Sequence, residues 1–220
     1  MSINVDLLSS TQYFSGLDLA KVESIKPFVL ERTATKGEYI IDDRETAEAL
    51  YLVISGALKE TKTSVEGKEQ ILRIVRPCES FNDIPVFDGG DHIASVQAIG
   101  SVSLYEISST NMEIILHEHP DVALNAIKVI AQRARFFTSL VEDLSFKHVT
   151  GRIAKLLLEY ADNRTESGTK LTQQDMAAMV GTVREMVSRS LKALEEKGII
   201  KMDHHRIVII DAEALREAVE

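Results

Sequence analysis

Short apolar stretches separated by turn residues fill the first half of the chain. Between residues 28 and 108 these stretches read TATKGEYIID, ALYLVISGALKE, EQILRIVRP, HIASVQAIG and SVSLYEIS. Short apolar segments bounded by glycine and polar turn residues are typical of β-strands. Several such strands in close succession predict a β-sandwich or jelly roll.

After residue 108 the spacing of the apolar residues changes to that of a helix. Between Pro120 and Gly151 the chain has no further glycine or proline, which favours one long helix. Its apolar residues follow each other in alternating steps of four and three, at Ala123, Ile127, Ile130, Ala134, Phe137, Val141 and Leu144. Charged residues flank this stripe, at Lys128, Arg133, Arg135, Glu142 and Asp143. A heptad stripe needs a partner, and its narrowness favours a parallel second copy over the sandwich of the same chain.

A second helix is predicted at about 148–161, because Ile153, Leu156, Leu157 and Tyr160 repeat at helical spacing. The segment that follows, Asn163–Thr169, is polar and contains Gly168, so it is predicted to be a loop.

Residues 171–201 have the spacing of a helix-turn-helix. Thr172 is placed to cap a first helix with Asp175 at its third position, in the manner of a capping box. Ala177 is small where two helices must cross, Gly181 suits the sharp turn, and Thr182 is placed to cap the second helix. The buried face of that second helix is predicted to consist of Val183, Val187, Leu191 and Leu194.

The opposite face of the second helix carries Arg184, Glu185, Ser188 and Arg189. Arginine can donate two hydrogen bonds to guanine, glutamate can accept one from cytosine, and a serine lets the helix approach a base or phosphate closely. A solvated surface with a Glu185–Arg189 pair is the alternative interpretation. The flanking glycine turn and the predicted β-hairpin after Gly198, a wing, favour contact with DNA.

Charge and composition limit the function classes. The 220 residues carry a formal net charge of −9, but from Lys147 onward 12 basic residues balance 12 acidic ones, so the acidity lies entirely in the first 146 residues. A neutral segment can bind DNA when its basic side chains share one face. The single cysteine, Cys78, excludes an intrachain disulfide.

The same sequence features predict where the protein works. No apolar run reaches the ~20 residues that span a bilayer, and the N-terminus has no secretory signal pattern. A cytoplasmic protein without membrane contact is therefore predicted. No catalytic triad, metal-spaced cluster or phosphate loop is recognisable, which makes an enzyme the least favoured class.

A sandwich, a long helix and a winged helix-turn-helix, in this order, resemble the CRP/FNR family of transcription regulators. LYLVISGALK and VEGKEQILRIV are similar to the strands of the family's sensor domain, and VREMVSRSLKALEEKGII is similar to its recognition helix. The resemblance implies an α+β fold with three parts. These are a cupin-like jelly-roll sensor at 1–117, a dimerisation helix at 118–146 and a winged helix-turn-helix at 147–220.

The resemblance also implies partners and site residues. Glu185 and Arg189 correspond to the family's principal base readers, Arg184 to an additional arginine of the catabolite-activator branch, and Ser188 to the serine of the FNR branch. Thr172 and Thr182 complete the predicted DNA-contacting set. A homodimer would bind a palindromic duplex with half-sites related to TTGA or TGTGA, roughly 34 Å apart, and RNA polymerase is the implied further partner.

The departures from the family concern the effector. Cyclic-nucleotide binders have a Gly-Glu-Leu stretch and a later Arg-Ser pair, where this chain has Asn82, Asp83 and Ile84, then Ile93 and Ala94. Without that arginine a phosphate lacks a bidentate partner, and Asp83 is expected to add an unpaired negative charge, which disfavours cyclic AMP. A single cysteine likewise disfavours an iron–sulfur cluster. The predicted effector pocket comprises Phe81, Asn82, Asp83, Ile84, Ile93, Ala94 and Ser95.

The sequence therefore predicts a regulator controlled by an unidentified small-molecule effector. One alternative is a haem-dependent nitric-oxide sensor or a redox sensor of the same family, with His92, His117, His119 and His148 as candidate axial ligands. Each of these histidines is more typical of a surface or hydrogen-bonded position, and Cys78 of a buried small apolar residue. A ligand-binding or scaffolding protein that does not touch DNA is the alternative from another class.

Overall fold

The computed structural model describes residues 3–42, 49–162, 172–203 and 206–219. The helices of these residues are α1 Val5–Ser9, α2 Leu19–Ile25 followed by a 3-10 turn Lys26–Phe28, α3 Asp83–Asp88, α4 Ser109–Glu118, α5 Pro120–Phe146, α6 Val149–Asp162, α7 Gln173–Val180, α8 Arg184–Glu196 and α9 Ala212–Glu217. The strands are β1 Leu30–Ala34, β2 Tyr39–Ile41, β3 Ala49–Ser55, β4 Leu58–Thr63, β5 Glu69–Val75, β6 Ser80–Phe81, β7 Ser95–Ala98, β8 Val102–Ser108, β9 Ile200–Asp203 and β10 Arg206–Ile209.

The chain divides into two compact units. Met1–Lys68 with Leu72–Arg135 form the first unit, and Glu69–Ile71 with Phe136–Glu220 form the second.

Two four-stranded sheets make up the first unit. Their strand orders are β1-β8-β3-β6 and β2-β7-β4-β5, and the pairs β1–β8, β3–β8, β3–β6, β2–β7 and β4–β7 run antiparallel. The chain passes repeatedly from one sheet to the other, as in a jelly roll. The jelly-roll prediction is confirmed.

Strand β3 shows why its sequence is apolar throughout instead of alternating. Leu50 and Leu52 belong to one buried cluster, together with apolar residues of the surrounding helices. Tyr51 and Val53 point to the other side, into a cluster between the two sheets. Successive side chains of a strand face opposite ways, so a strand covered on both faces needs an unbroken apolar run.

Helices pack on the outer face of the β1-β8-β3-β6 sheet. Residues of α1, α2, α4 and α5 share the cluster that contains Leu50 and Leu52. Full burial of each large apolar side chain there contributes about 1.5–3 kcal/mol to stability. The sequence pattern had predicted neither α1 and α2 nor the short helix α3 within the strand region.

The second unit has one core. Its buried residues come from α6, α7, α8, the start of β9 and Leu215 of α9. Helix α6 matches the helix predicted at about 148–161, whereas the predicted loop Asn163–Thr169 lies outside the described residues. Strands β9 and β10 pair antiparallel, with Ile200 opposite Ile209 and Met202 opposite Ile207. The predicted hairpin after α8 is therefore confirmed.

Candidate DNA-reading helix and sensor interior

Helix α7 begins with the predicted capping box. Thr172 accepts a hydrogen bond from Asp175 N at 3.1 Å, and Thr172 N donates to Asp175 Oδ2 at 3.0 Å. The exchange satisfies two backbone donors that the first helical turn leaves without partners. At its other end α7 stops at Gly181, whose φ of 69° is easily adopted only without a side chain.

Helix α8 begins differently from the prediction. Val183, not Thr182, is the N-cap, and no side chain caps the helix. Val183 is 50% exposed, so its assignment to the buried face was also wrong. Both errors have the same cause. The turn after Gly181 is one residue longer than the spacing suggested, so α8 begins one residue later and Val183 lies outside it.

The two faces of α8 are sharply divided. Val187, Leu191 and Leu194 are at most 2% exposed and pack in the core of the second unit. Arg184, Glu185, Ser188 and Arg189 are all exposed, and together they form what we call the α8 face. Among the described residues, no side chain of the α8 face has an ion-pair partner, and the alternative Glu185–Arg189 pair is not formed. The donors and acceptors of the α8 face are therefore available to a ligand.

The predicted effector residues separate into buried and exposed positions. Phe81 and Asp83 are fully buried, Asn82 and Ala94 are nearly so, and Ile93 is 44% exposed. Ile84 and Ser95 are half-buried. The segment thus contributes an aromatic ring, an amide and a carboxylate to the interior of the first unit.

Asp83 is not unpaired, which corrects the expectation from the sequence. Its carboxylate forms an ion pair with Arg133 of α5, and it accepts a 2.6 Å hydrogen bond from the Tyr13 hydroxyl. Burial lowers the pKa of Arg133 to about 10, so its guanidinium stays protonated at neutral pH. Burial also raises the pKa of Tyr13, which keeps its hydroxyl proton available to Asp83. The tertiary fold supplies both partners from distant parts of the chain.

A second arginine continues this network. Arg73 of β5 binds both carboxylate oxygens of Glu60 on β4, at 2.5 and 3.2 Å. Arg73 and Arg133 also both donate to the carbonyl oxygen of Ser80, at 2.7 and 3.0 Å. We call the six residues the buried ion network: Tyr13, Glu60, Arg73, Ser80, Asp83 and Arg133. Its two cations are balanced by two anions, since a buried charge must be paired.

The sequence pattern missed most of this network. Arg133 was predicted only as a charge that flanks an apolar stripe, and Tyr13, Glu60, Arg73 and Ser80 were not singled out. The available signal was that Glu60 lies two residues after the buried Leu58 and therefore on the same face of β4.

The four candidate histidines differ in burial. His92 is 8% exposed, whereas His119 is half-buried and His117 and His148 are exposed. His92 Nδ1 lies 2.7 Å from Asn82 Oδ1, and Asn82 Nδ2 donates to Ala49 O at 2.7 Å. The amide nitrogen is thus engaged, so Asn82 Oδ1 accepts a hydrogen bond from His92 Nδ1–H.

Cys78 is exposed, and the prediction that it is a buried apolar residue was wrong. It lies in the turn before β6 with a φ of 70°, because the chain reverses there to bring Cys78 N to Val53 O. Within the described part of the chain, no group of three or more His, Cys, Asp or Glu side chains is placed to hold a metal ion.

Helix α5 has two apolar faces. Val122, Ala126 and Val129 are buried in the cluster beneath the β1-β8-β3-β6 sheet. The predicted heptad stripe lies on another face, where Ile127 is 65% and Val141 62% exposed. Leu144 is 41% exposed, Ala134 is exposed, and Ala123, Ile130 and Phe137 are half-buried. Within the first unit the sandwich therefore leaves Ile127 and Ala134 of the stripe exposed, and we call the seven residues of the stripe the α5 stripe.

Comparison with known proteins agrees with this architecture. The cyclic nucleotide-binding domain family matches residues 31–119, and the Crp-like helix-turn-helix domain family matches residues 151–218. The cAMP-activated global transcriptional regulator CRP of Salmonella typhimurium is 31% identical over 177 residues, which cover 77% of this chain and 84% of the relative. The chain belongs to the CRP/FNR family of transcription regulators.

Two further comparisons extend over almost the whole chain. A CRP-like cAMP-activated global transcriptional regulator of Mycobacterium tuberculosis is 26% identical over 217 residues, covering 96% of this chain and 97% of the relative. The solved structure of FixK2 from Bradyrhizobium japonicum superposes with a TM-score of 0.75 at 25% identity, covering 86% of this chain and 96% of the other.

Membership of the family establishes the general function. This CRP/FNR protein is a DNA-binding transcription regulator with a cyclic-nucleotide-binding-like domain. Regulators of the family bind DNA and usually act as dimers. No helix of the described residues is both long and apolar enough to cross a membrane.

Proposed function

We propose that this regulator binds a palindromic operator as a homodimer, reads it with the α8 face, and responds to an effector other than cyclic AMP. The division into a sensor at 1–117, a dimerisation helix at 118–146 and a DNA-binding domain at 147–220 is part of the same proposal. The observation that carries it is the α8 face, where Arg184, Glu185, Ser188 and Arg189 are exposed over a buried apolar face.

The chemistry of the α8 face suits the major groove. Arg189 or Arg184 can bind O6 and N7 of guanine through two hydrogen bonds, and Glu185 can accept from the amino group of cytosine. Ser188 lies between them and has a short side chain, so it lets the helix come close to the bases. Thr172 and Thr182, at the starts of the two helices, are proposed to contact the phosphate backbone.

A second copy of the chain is the proposed partner of the α5 stripe. Its steps of four and three residues match the seam of a parallel two-helix coiled coil. Ile127 and Val141 would each lose most of their exposure in such a pair, and the same symmetry would present two α8 faces to two half-sites. The interaction with RNA polymerase is proposed from the family alone.

Cyclic AMP does not suit the sensor interior. The positions where cyclic-nucleotide binders have an Arg-Ser pair hold Ile93 and Ala94, whose side chains cannot bind a phosphate. Both buried arginines are already paired, Arg73 with Glu60 and Arg133 with Asp83. An entering phosphate would have to displace a carboxylate from one of them, which costs a buried ion pair.

We further propose that the effector acts through Arg133. This residue lies on α5 and binds Asp83, the first residue of α3, within the predicted effector segment. An effector that weakens the Asp83–Arg133 ion pair would change how α5 packs on the sensor. That change would shift the dimer between two forms that differ in their affinity for the operator. In this scheme the protein acts by binding its effector and its operator and catalyses no reaction. It acts in the cytoplasm, where its operator is.

The test is selection of duplexes from a random pool by the full chain, followed by measurement of operator affinity with and without cyclic AMP. We expect palindromic sequences with half-sites related to TTGA or TGTGA and a dissociation constant that rises steeply with salt concentration. We expect no change in affinity on addition of cyclic AMP. Recovery of non-palindromic sequences, or a cyclic-AMP-dependent gain in affinity, would contradict the respective part of the proposal.

Haem is the second candidate effector, and His92 is the observation that favours it. Its Nδ1–H is held by Asn82, an arrangement that orients Nε2 as a ligand in many metal-binding histidines. An absorption spectrum of the purified chain after addition of haem tests this directly. A Soret band that His92→Ala removes and His117→Ala retains would place the haem at His92, whereas no band in the wild type would exclude this candidate.

A further inference from the structure

Charged side chains stabilise the bend between α5 and α6. Only Lys147 and His148 separate the end of α5 at Phe146 from the start of α6 at Val149. Close to this bend, Asp143 of α5 is only 8% exposed. A carboxylate is buried at such a position only when cations pair with it.

Asp143 binds one lysine in the bend and one beyond it, on α6. Lys147 Nζ lies 2.9 Å from Asp143 Oδ1, and Lys155 Nζ, in the second turn of α6, contacts Oδ2. Lys155 also donates to Ser139 Oγ on α5 at 3.3 Å. Burial by itself raises the pKa of Asp143, but the hydrogen bonds from Lys155 and Lys147 outweigh it and hold the pKa below its ordinary value. The carboxylate thus ties the two helices together while charged.

Arg152 closes the same bend through backbone carbonyls. Its Nη1 donates to Leu144 O at 3.3 Å and to Lys147 O at 3.2 Å. The last carbonyls of a helix have no donors within the helix, so a guanidinium from α6 completes the end of α5. We call this group the elbow: Ser139, Asp143, Leu144, Lys147, Arg152 and Lys155.

Helix α6 is in turn fixed to the recognition helix. Ile153 and Leu157 share a buried cluster with Val187 and Leu191 of α8. Thr150 Oγ1 donates to Ser190 Oγ of α8 at 3.0 Å. The direction of α8 relative to the C-terminal part of α5 therefore depends on the angle at the elbow.

We propose that Asp143 is a positioning residue that fixes this angle and thereby sets the half-site spacing that the dimer accepts. The proposal rests on the proposed function, because spacing has a meaning only for a dimer on a palindromic operator. Helix α6 has 14 residues and so a length of about 21 Å. A change of about 10° at the elbow moves its far end by roughly 4 Å, close to the ~3.4 Å rise of one base pair.

The experiment measures binding of the full chain to a set of duplexes by fluorescence anisotropy. The set contains the palindrome with its best spacer, the same half-sites moved apart or together by one and two base pairs, and a single half-site. Asp143→Asn removes the charge and keeps the shape, and Lys155→Met removes the partner across the bend. Glu142→Gln is the matched control, since Glu142 is the exposed neighbouring carboxylate.

We expect the wild type and Glu142→Gln to bind one spacing at least about tenfold more tightly than the others. Asp143→Asn and Lys155→Met should lose most of this preference while their affinity for the single half-site stays within about twofold. Thermal unfolding of each variant shows whether it is folded at the assay temperature, and the single half-site shows whether its α8 face is intact.

The other outcomes contradict the proposal in distinguishable ways. If both variants keep the wild-type spacing preference, the elbow does not set the spacing and only this inference fails. If they lose affinity equally for the palindrome and the single half-site, Asp143 has a general structural role and the inference fails again. If the wild type itself has no spacing preference, the proposed dimer on a palindrome fails together with it.

Discussion

The α8 face and the buried ion network use the same kinds of side chain in opposite ways. In the network, Arg73 and Arg133 are paired with Glu60 and Asp83 and lie inside the first unit. On the α8 face, Arg184, Arg189 and Glu185 are exposed and have no ion-pair partner among the described residues. Removal of one partner from a buried pair destabilises the fold because it leaves the other charge uncompensated, whereas an exposed, unpaired charge is free to bind a partner.

This difference predicts separable effects on stability and on DNA binding, and the largest concerns Asp83. Asp83→Asn should lower the free energy of unfolding by about 3–5 kcal/mol, because it leaves Arg133 as an uncompensated buried charge. Denaturant unfolding measures this, with the exposed Asp91→Asn as the control. Equal stability of the two variants would mean that the Asp83–Arg133 pair is not formed in solution.

The second effect concerns the α5 stripe. Ile127→Asp should weaken the dimer by about 3 kcal/mol, roughly a hundredfold, because two large apolar side chains lose their burial and two charges enter the seam. The folded monomer should keep its stability, since Ile127 is 65% exposed within one chain. Analytical ultracentrifugation over a concentration series measures the dissociation constant, with Lys128→Asp as the matched control beside the stripe. A dimer unaffected by Ile127→Asp would locate the interface elsewhere.

The third effect is the counterpart of the first. Arg189→Ala should weaken specific operator binding by about 1–3 kcal/mol and relax the preference for guanine at one position of each half-site. Its unfolding should match the wild type, because Arg189 is exposed. Titrations with the operator and with substituted operators measure this, and Arg216→Ala on α9 controls for the loss of one exposed positive charge. Unchanged operator affinity would exclude Arg189 as a base reader.

The fourth effect distinguishes Thr172, which stabilises the start of α7, from Thr182, which is proposed to contact only the DNA backbone. Thr172→Ala should destabilise the second unit by about 1 kcal/mol, because the capping box at the start of α7 is lost. Thr182→Ala should leave stability nearly unchanged, since Val183 is the N-cap of α8 and has no side-chain cap. Thermal unfolding compares the two, and a larger loss for Thr182→Ala would reverse this assignment.

The smallest effect is the pH dependence of the free energy of unfolding that Asp143 of the elbow causes. The pKa of Asp143 is lowered in the folded state by Lys155 and Lys147, so its ion pairs contribute stability above the pH where a free aspartate titrates, about 4. This contribution is lost as the pH falls through the lowered folded-state pKa. Asp143→Asn should therefore show a weaker loss of stability than the wild type in acid. If the free energy of unfolding fell with pH equally in the wild type and in Asp143→Asn, the ion pairs of Asp143 with Lys147 and Lys155 would not be formed in solution.

Sequence reasoning worked well where periodicity carries the information. The strand region, the long helix from Pro120, the capping box of Thr172 and the β9–β10 hairpin were all predicted from spacing and turn residues. These features depend on neighbours in sequence, and a single pattern of burial repeats along each of them. The start of α8 was wrong by one residue because spacing alone does not determine where a turn ends.

The sensor interior was harder to predict for a physical reason. Asp83 was expected to be unpaired, yet Arg133 and Tyr13, each at least 50 residues away in the sequence, both bind it. Cys78 was expected to be buried and is exposed, because a chain reversal places it at the surface. Charge pairing and burial of single side chains are decided by which strands and helices meet, and no local pattern encodes that.

The sequence by itself determined the order of the parts and the chemistry of the α8 face, because helical and strand periods and residue types are local properties. The tertiary structure alone decided that Ile127 of the α5 stripe is left exposed in the first unit and that four charged side chains of that unit neutralise one another. It also decided that Asp143 ties α5 to α6. Each of these is a contact, or the lack of one, between segments that the chain brings together only on folding.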